Sequence, residues 1–350
     1  MLTLITLVHE FGHFVMAKAF GVYVYEFSIG MGPKLFSKKG KETKYTLRAF
    51  LIGGFVAMAG EDDKQNLNDV EKDNIEIPFE RTLNGISPIK KIIVMVAGVV
   101  MNFILAIVVM SLTFLSVGYI NEAAEPIIDS VVENYPAYKA GIKKGDKIIS
   151  LSYDNGYSIK PSDFNEVSNF FSLYEGEGNV HIGLLRDNEE LLVDVKPQFD
   201  EENNSYVIGI TSTPFKQVEI TLSNCFSKSI SYLLSATKMI LIALLGLFRG
   251  VGLNNLSGPV GVYNVTSEAV SYGAASYMSL IALISLNVGI FNLLPLPIFD
   301  GGRIFITFIE MIIGRRLNEK VENAIMSASI VILLLLVVFV TFKDITKLIG

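Results

Sequence analysis

Twenty-seven consecutive residues, Ile92 to Gly118, carry no charged side chain. About 20 helical residues cross the roughly 30 Å hydrocarbon core of a bilayer, so a run of this length reads as a membrane span. Two further uncharged runs, Tyr277 to Phe299 (23 residues) and Ala324 to Phe342 (19 residues), have the same character. A fourth candidate, Met1 to Phe20, is apolar apart from Lys18 and the segment His9 to His13. The stretch Tyr232 to Phe248 is apolar but short, contains Lys238 and runs into Arg249-Gly250, so it either spans or lies at the interface. Composition agrees, with 51% hydrophobic and 18% charged residues in 350 and a mean hydropathy of +0.46. A net charge of -6 and a pI near 5.3 exclude the basic face that a nucleic-acid binder needs. One cysteine, Cys225, excludes an internal disulfide framework and reads as a small packed apolar residue.

Basic residues flanking the spans set the orientation. Lys90 and Lys91 precede the long run and the next base after it is Lys139, which places 21–91 in the cytoplasm. No Lys or Arg occurs between Arg249 and Arg303, whereas Arg303, Arg315, Arg316 and Lys320 cluster after the next run. The third span therefore starts outside, the loop after it lies inside, and both termini are expected outside. Lys343 and Lys347 weigh mildly against that. Residues 121–230 differ in composition, with 18 acidic and 9 basic residues and alternating runs such as Lys147-Ile148-Ile149-Ser150-Leu151 and Leu191-Leu192-Val193-Asp194-Val195. This pattern predicts a small β-rich domain, extracytoplasmic by the charge argument. The acidic segment Glu61 to Glu80 reads as a solvated loop. The expected fold is a polytopic α-helical membrane protein of about four spans with an inserted extracytoplasmic β-rich domain. Its boundaries are 1–120 for the first half of the membrane core, 121–210 for the β-rich domain, 211–275 for an extracytoplasmic amphipathic connection and 276–350 for the second half.

Only three histidines occur, and two of them stand in His9-Glu10-Phe11-Gly12-His13. Residues four apart share a helix face, so both imidazoles can bind one metal ion while Glu10 is placed to take a proton from the attacking water. A chance HExxH in a chain with so little histidine has a probability of roughly 0.002 from residue frequencies. The structural alternative is a pair of helix-packing histidines beside a stray carboxylate, which leaves three polar groups within an apolar segment unexplained. Catalytic zinc generally takes three protein ligands and keeps a fourth position for water. His181 lies in the β-rich segment and reads as an exposed strand histidine. Asp300 ends an uncharged run, in Asn292-Leu293-Leu294-Pro295-Leu296-Pro297-Ile298-Phe299-Asp300-Gly301-Gly302. The prolines break the helix and the glycines free the backbone, so the carboxylate either turns into a cavity or caps the following helix.

With HExxH in the first span and an Asn-x-x-Pro-x-x-x-x-Asp-Gly-Gly pattern in a later one, the chain resembles the bacterial site-2 proteases of the RseP type. These are zinc intramembrane metalloproteases that cleave membrane-spanning anti-sigma factors, signal-peptide remnants or pheromone precursors. The resemblance extends over Gly30-Met31-Gly32-Pro33, Gly53-Gly54-Phe55-Val56-Ala57-Met58, Ala97-Gly98 with Asn102-Phe103, the PDZ-like Pro136-Ala137 and Ala140-Gly141-Ile142-Lys143-Lys144-Gly145-Asp146, and Ser257-Gly258-Pro259-Val260-Gly261. It implies Zn2+ on His9, His13 and Asp300, Glu10 as the catalytic base and Asn292 near the substrate. It also implies a bacterial inner-membrane location among lipids, single-pass membrane proteins as substrates, a possible upstream site-1 protease, and one PDZ domain that either gates access or is purely structural. Val99 stands where the family usually has proline, a change expected to alter packing only. Eight residues precede His9 and rise about 12 Å as helix, so either the chain continues upstream of Met1 or the first helix is unusually placed.

A membrane-embedded helix hides its carbonyls in internal hydrogen bonds and must be opened before hydrolysis. Gly53, Gly54, Phe55 and Val56 are expected to form a hairpin dipping into the membrane whose edge pairs with the extended substrate; the alternative is an ordinary cytoplasmic turn. The carboxamide of Asn292 can serve the substrate backbone or join two helices. The competing class is a non-enzymatic scaffold or transporter in which the PDZ-like domain binds peptide and the polar residues line a path.

Overall fold

The computed structural model describes residues 1–60, 76–154, 156–172, 174, 176, 178–200, 205–213, 215–248, 258–318, 324–331, 334, 335, 338, 340 and 341. Most of the expected acidic loop (61–75), Arg249-Gly250, Ser257, Lys343 and Lys347 lie outside the described residues. In chain order the elements are α1 (Leu2–Ala19), β1 (Val24–Lys39), β2 (Lys44–Met58), α2 (Pro88–Val117), β3 (Tyr119–Ala123), β4 (Ser130–Val131), α3 (Pro136–Lys139), β5 (Lys147–Tyr153), β6 (Ser158–Ile159), α4 (Phe164–Ser172), β7 (Val180–Arg186), β8 (Glu189–Val195), β9 (Gln198–Asp200), β10 (Ser205–Val207), β11 (Ile210–Thr211), β12 (Phe215–Glu219), α5 (Cys225–Phe248), α6 (Pro259–Ser271), α7 (Ala274–Asn292) and α8 (Asp300–Ile313). They form two compact units, Met1–Val117 with Thr221–Gly350, and Gly118–Ile220.

In the first unit α2 is the central helix, packed by α1, α5, α7 and α8. It starts on Pro88, where a missing backbone donor costs nothing, and continues unbroken through Val99, which is buried. Among the described residues three helices are long and apolar enough to cross a membrane: Pro88–Val117, Cys225–Gly246 and Ala274–Asn292. The second of these differs from the short segment expected from Tyr232. The helix begins seven residues earlier, where the Thr221 N–H donates to Asn224 Oδ1 (2.8 Å). Inside it Thr237 returns its hydroxyl to the Leu233 carbonyl (2.7 Å), so this polar group is satisfied by the helix itself. The expected Tyr277 to Phe299 span ends as helix at Asn292, because Pro295 and Pro297 disfavour helical backbone just before them. The described residues of the last uncharged run are helical.

The β1–β2 hairpin folds back on itself. Residues 24–29 of β1 pair on one side with 44–47 of β2 and on the other with 54–58, while 34–39 pair with the outer side of 44–48. The result is a mixed four-stranded sheet, in which 24–29 run parallel to 44–47 and antiparallel to 54–58, with 54–58 at one edge. Its interior holds a buried ion pair: Arg48 Nη2 donates to Glu26 Oε1 (2.9 Å), Nε to Ser28 Oγ (3.0 Å) and Nη1 to the Gly32 carbonyl (2.9 Å). Removing one partner of such a pair costs about 3–5 kcal/mol, because the other is left as an uncompensated buried charge.

The second unit is β-rich. A four-stranded sheet of order β6-β5-β7-β8 covers α4 over a core that includes Ile128, Leu151, Phe170, Ile182 and Leu184. Each such side chain contributes about 1.5–3 kcal/mol by burial. Asp146 is held by both Arg186 nitrogens at 2.7 Å and by the Lys143 N–H at 2.8 Å. Against the upward pull of burial, these contacts keep its carboxyl below the usual range. The unit extends past the expected 121–210, since β12 pairs with β3 over five residue pairs from Phe215↔Ala123 to Glu219↔Tyr119. The expected connection 211–275 thus contains β12, α5, α6 and the start of α7.

His181 lies on β7, with Nδ1 2.7 Å from Asp194 Oδ1 and Nε2 2.9 Å from Asp154 Oδ1. The hydrogen bond to Asp194, then that to Asp154, raise its pKa, while the Asn179 N–H and then His181 lower that of Asp154. The histidine contribution is present below its unfolded pKa of about 6.5 and fades as pH rises through the raised value; the Asp154 contribution appears above about 3.9 and is lost in acid. His181→Gln is therefore expected to increase amide exchange in β7 and β8 most between about pH 4 and 6.5. Hydrogen exchange at pH 5.5 and 8.5 measures this; an equal effect at both pH values would contradict it.

Candidate active site

Helix α1 presents His9 and His13 one turn apart on one face, both buried. They face α2, which reaches them because residue 98 has no side chain. A Cβ there would lie 2.5 Å from His13 Nε2 and 2.8 Å from His9 Cε1. Gly12 plays the reciprocal part, bringing α1 against the Ala97 carbonyl. The third group arrives from the broken segment after α7. Residues 293–299 curl over the first turn of α8 so closely that a Cβ on Gly301 or Gly302 would collide with the Leu293 or Leu296 carbonyl. Phe299 occupies the cap position and Asp300 is the first residue of α8, so its carboxylate does not cap the helix and is turned toward the imidazoles instead.

The ligand atoms converge. Asp300 Oδ2 is 3.0 Å from His9 Nε2 and 3.3 Å from His13 Nε2, and the two Nε2 atoms are 3.1 Å apart. A tetrahedral ion with bonds of about 2.0–2.2 Å separates its ligand atoms by about 3.3–3.5 Å. Oδ2 is buried without a hydrogen-bond donor, an arrangement that a cation among the three atoms would satisfy. Two imidazoles and one carboxylate suit zinc with a fourth position left for water. Among the described residues this is the one group of three His, Cys, Asp or Glu ligands close enough for one metal ion.

Glu10, on the same turn, accepts the Val56 N–H at Oε2 (3.1 Å). The strand carrying that donor, 54–58, pairs on its other side with β1. Gly53 precedes it with a φ of 77°, and Gly54 packs where a Cβ would be 2.7 Å from the Ser28 carbonyl. Phe55 lies under the Arg48 guanidinium, 5.0 Å from the ring centre. The segment is a sheet edge beside Glu10, not an isolated turn. Asn292 ends α7, half-buried. His181 belongs to the other unit and plays no part in this cluster.

Two further groups hold the imidazoles. His13 Nδ1 lies 2.8 Å from the Val94 carbonyl, which fixes the proton on Nδ1 and leaves the Nε2 lone pair facing the cluster. Asn102 Nδ2 lies 3.1 Å from His9 Nδ1. The role of Val94 has no signature in sequence, since any residue supplies a carbonyl. Asn102 did leave one: it is the only carboxamide in the 27-residue uncharged run.

Gly98→Ala is expected to push both rings aside and lower zinc affinity by about the 10–100-fold that misplaced metal-supporting groups cost. Metal analysis and circular dichroism of the purified variant check this; full zinc retention would show that α2 can retreat without cost.

Comparison with known proteins identifies the family. The family model described as "Peptidase family M50" matches residues 1–336. A zinc metalloprotease of Clostridium perfringens is 36% identical over 342 residues, covering 97% of this chain and 94% of the relative. One of Fusobacterium nucleatum is 32% identical over 353 residues, covering 99% and 97%. The regulator of sigma-W protease RasP of Bacillus subtilis is 29% identical over 410 residues, covering 97% and 95%. A model match over nearly the whole chain, with relatives above 30% identity along their full lengths, places the protein in peptidase family M50.

Proposed function

We propose that this zinc-dependent peptidase hydrolyses peptide bonds within the transmembrane segments of single-pass membrane proteins, with zinc on His9, His13 and Asp300 and Glu10 as the base. The observation that carries the reading is the convergence of three ligand atoms in apolar surroundings, with the Glu10 carboxylate on the same helix turn accepting the Val56 N–H of a sheet edge. Zinc, when bound, polarises a carbonyl and brings the pKa of a water to about 7. The protein supplies the rest. His9 and His13 keep their Nε2 lone pairs inward, Asp300 contributes the compensating negative charge, and Glu10 accepts the proton of the attacking water and passes it to the leaving amine. The scaffold or transporter alternative gives no reason for a base beside a three-ligand cluster and is set aside by membership in a peptidase family.

The edge strand supports the substrate reading. An unwound transmembrane segment must regain backbone partners, and the Gly53 to Met58 edge offers them, with Asn292 as a side-chain partner. The β-rich unit acts as a PDZ domain outside the cytoplasm, admitting substrates already shortened by an upstream site-1 protease. The enzyme resides among the lipids of a bacterial inner membrane. A relative named for sigma-W regulation supports anti-sigma factors as substrates, beside signal-peptide remnants and pheromone precursors.

Glu10→Gln is expected to keep zinc and fold while cleavage falls by at least 100-fold, because an amide cannot take the proton. Asp300→Ala is expected to lose the metal. Cleavage near the wild-type rate in the first, or full zinc in the second, removes that residue from its assigned role.

Proline at Phe55 or Val56, and Asn292→Ala, are expected to impair cleavage of a stable transmembrane helix more than that of a substrate with helix-breaking residues at the scissile bond. The comparison is made with each variant after zinc content is verified. Equal losses on both substrates would assign these residues to support of the zinc site, and no loss on either would remove them from substrate handling.

A further inference from the structure

We infer that Asn102 is a positioning residue for the metal: its carboxamide selects the tautomer and ring plane in which His9 can bind zinc through Nε2. The inference rests on the reading of His9 as a ligand.

Neutral imidazole carries one proton, on either Nδ1 or Nε2, and only the Nδ1–H form leaves Nε2 able to coordinate. For His13 the Val94 carbonyl makes that choice, since a carbonyl can only accept. Among the described residues no carbonyl takes the equivalent place at His9. Its Nδ1 meets the Asn102 side chain at 3.1 Å. A carboxamide offers either NH2 or oxygen, and its two ends differ little in shape. With Nδ2 toward the ring, His9 Nδ1 must be the acceptor, the proton moves to Nε2, and Asn102 Oδ1 is left buried and unpartnered. With Oδ1 toward the ring, the oxygen accepts from Nδ1–H, the NH2 takes the place the oxygen left, and Nε2 is open to the metal. The zinc-bound enzyme therefore holds Asn102 with its oxygen on His9.

The surroundings fit positioning and not simple helix packing. Asn102 is fully buried. Its backbone carbonyl accepts the hydroxyl of Ser285 on α7 at 2.9 Å, which ties α2 to α7 at this residue. Its side chain is thus left for the ring, and the partner it takes across the α1–α2 interface is the imidazole of a proposed metal ligand.

The test is zinc affinity of the full-length protein in detergent, by competition with a chromogenic chelator, for wild type, His9→Ala, Asn102→Leu, Asn102→Ala and Asn102→Asp. Leucine keeps the volume and removes the acceptor, and aspartate keeps both. Loss of affinity by 10–100-fold in Leu and Ala, with Asp within severalfold of wild type, supports positioning. Zinc binding by Asn102→Leu at the wild-type level, while His9→Ala loses it, overturns the inference and leaves the ligand reading standing. Zinc retention by His9→Ala overturns the ligand reading itself. Should the substituted proteins fail to fold, nitrogen NMR of 15N-histidine-labelled, zinc-loaded wild type decides: a protonated Nδ1 on His9 supports the inference and a protonated Nε2 overturns it.

Discussion

A carboxylate and two imidazoles with their inward atoms 3.0 to 3.3 Å apart need a compensating cation, or protons shared among them, when they are buried away from water. Much of the membrane core serves that arrangement. Helix α2 carries glycine where any side chain would displace the rings, and α1 carries glycine where it must touch the α2 backbone. The chain after α7 stops being helical because two prolines forbid it, then re-enters as α8 with Asp300 in its first turn and two glycines beneath the loop. The imidazoles and the carboxylate that converge come from segments nearly 300 residues apart in sequence.

The sheet adds a second constraint. Catalysis on a helix requires an open backbone, and an open backbone at membrane depth requires donors and acceptors. The β1–β2 sheet carries such an edge beside Glu10, and its shape depends on the Arg48–Glu26 pair, which reaches Phe55 on that edge through the guanidinium face. A buried charge pair is weak evidence for stability, but it tolerates few alternative packings, so it suits a segment whose register relative to Glu10 is to be held.

The two compact units are stabilised differently. Gly118–Ile220 has a core of aliphatic and aromatic side chains with charged groups satisfied at its margin, as in Asp146 with Arg186. The membrane unit keeps large apolar side chains such as Ile93, Val108 and Leu112 exposed along α2, and buries polar ones: His9, His13, Asn102 and Ser285. That inversion is expected where the surrounding solvent is lipid.

The existence and approximate place of the apolar helices, the β-rich insertion, the metal motif and the candidate third ligand are all legible in residue order, because each depends on local composition or on spacing along one helix. The 3.6-residue period alone brings His9 and His13 to one face. Helix α5 is longer than the apolar run read from Tyr232, because Cys225 to Ser231 continue the helix without forming part of the uncharged run. The extent of the β-rich unit was missed because β3 and β12 are nearly 100 residues apart and their pairing leaves no local mark. The turning of Asp300 toward the imidazoles and away from a cap, the sheet edge at Val56, and the contacts of Val94 and Asn102 with the two rings were decided by tertiary structure. Each requires a backbone or side-chain atom from a distant segment to arrive within about 3 Å, and sequence spacing carries no information about such distances.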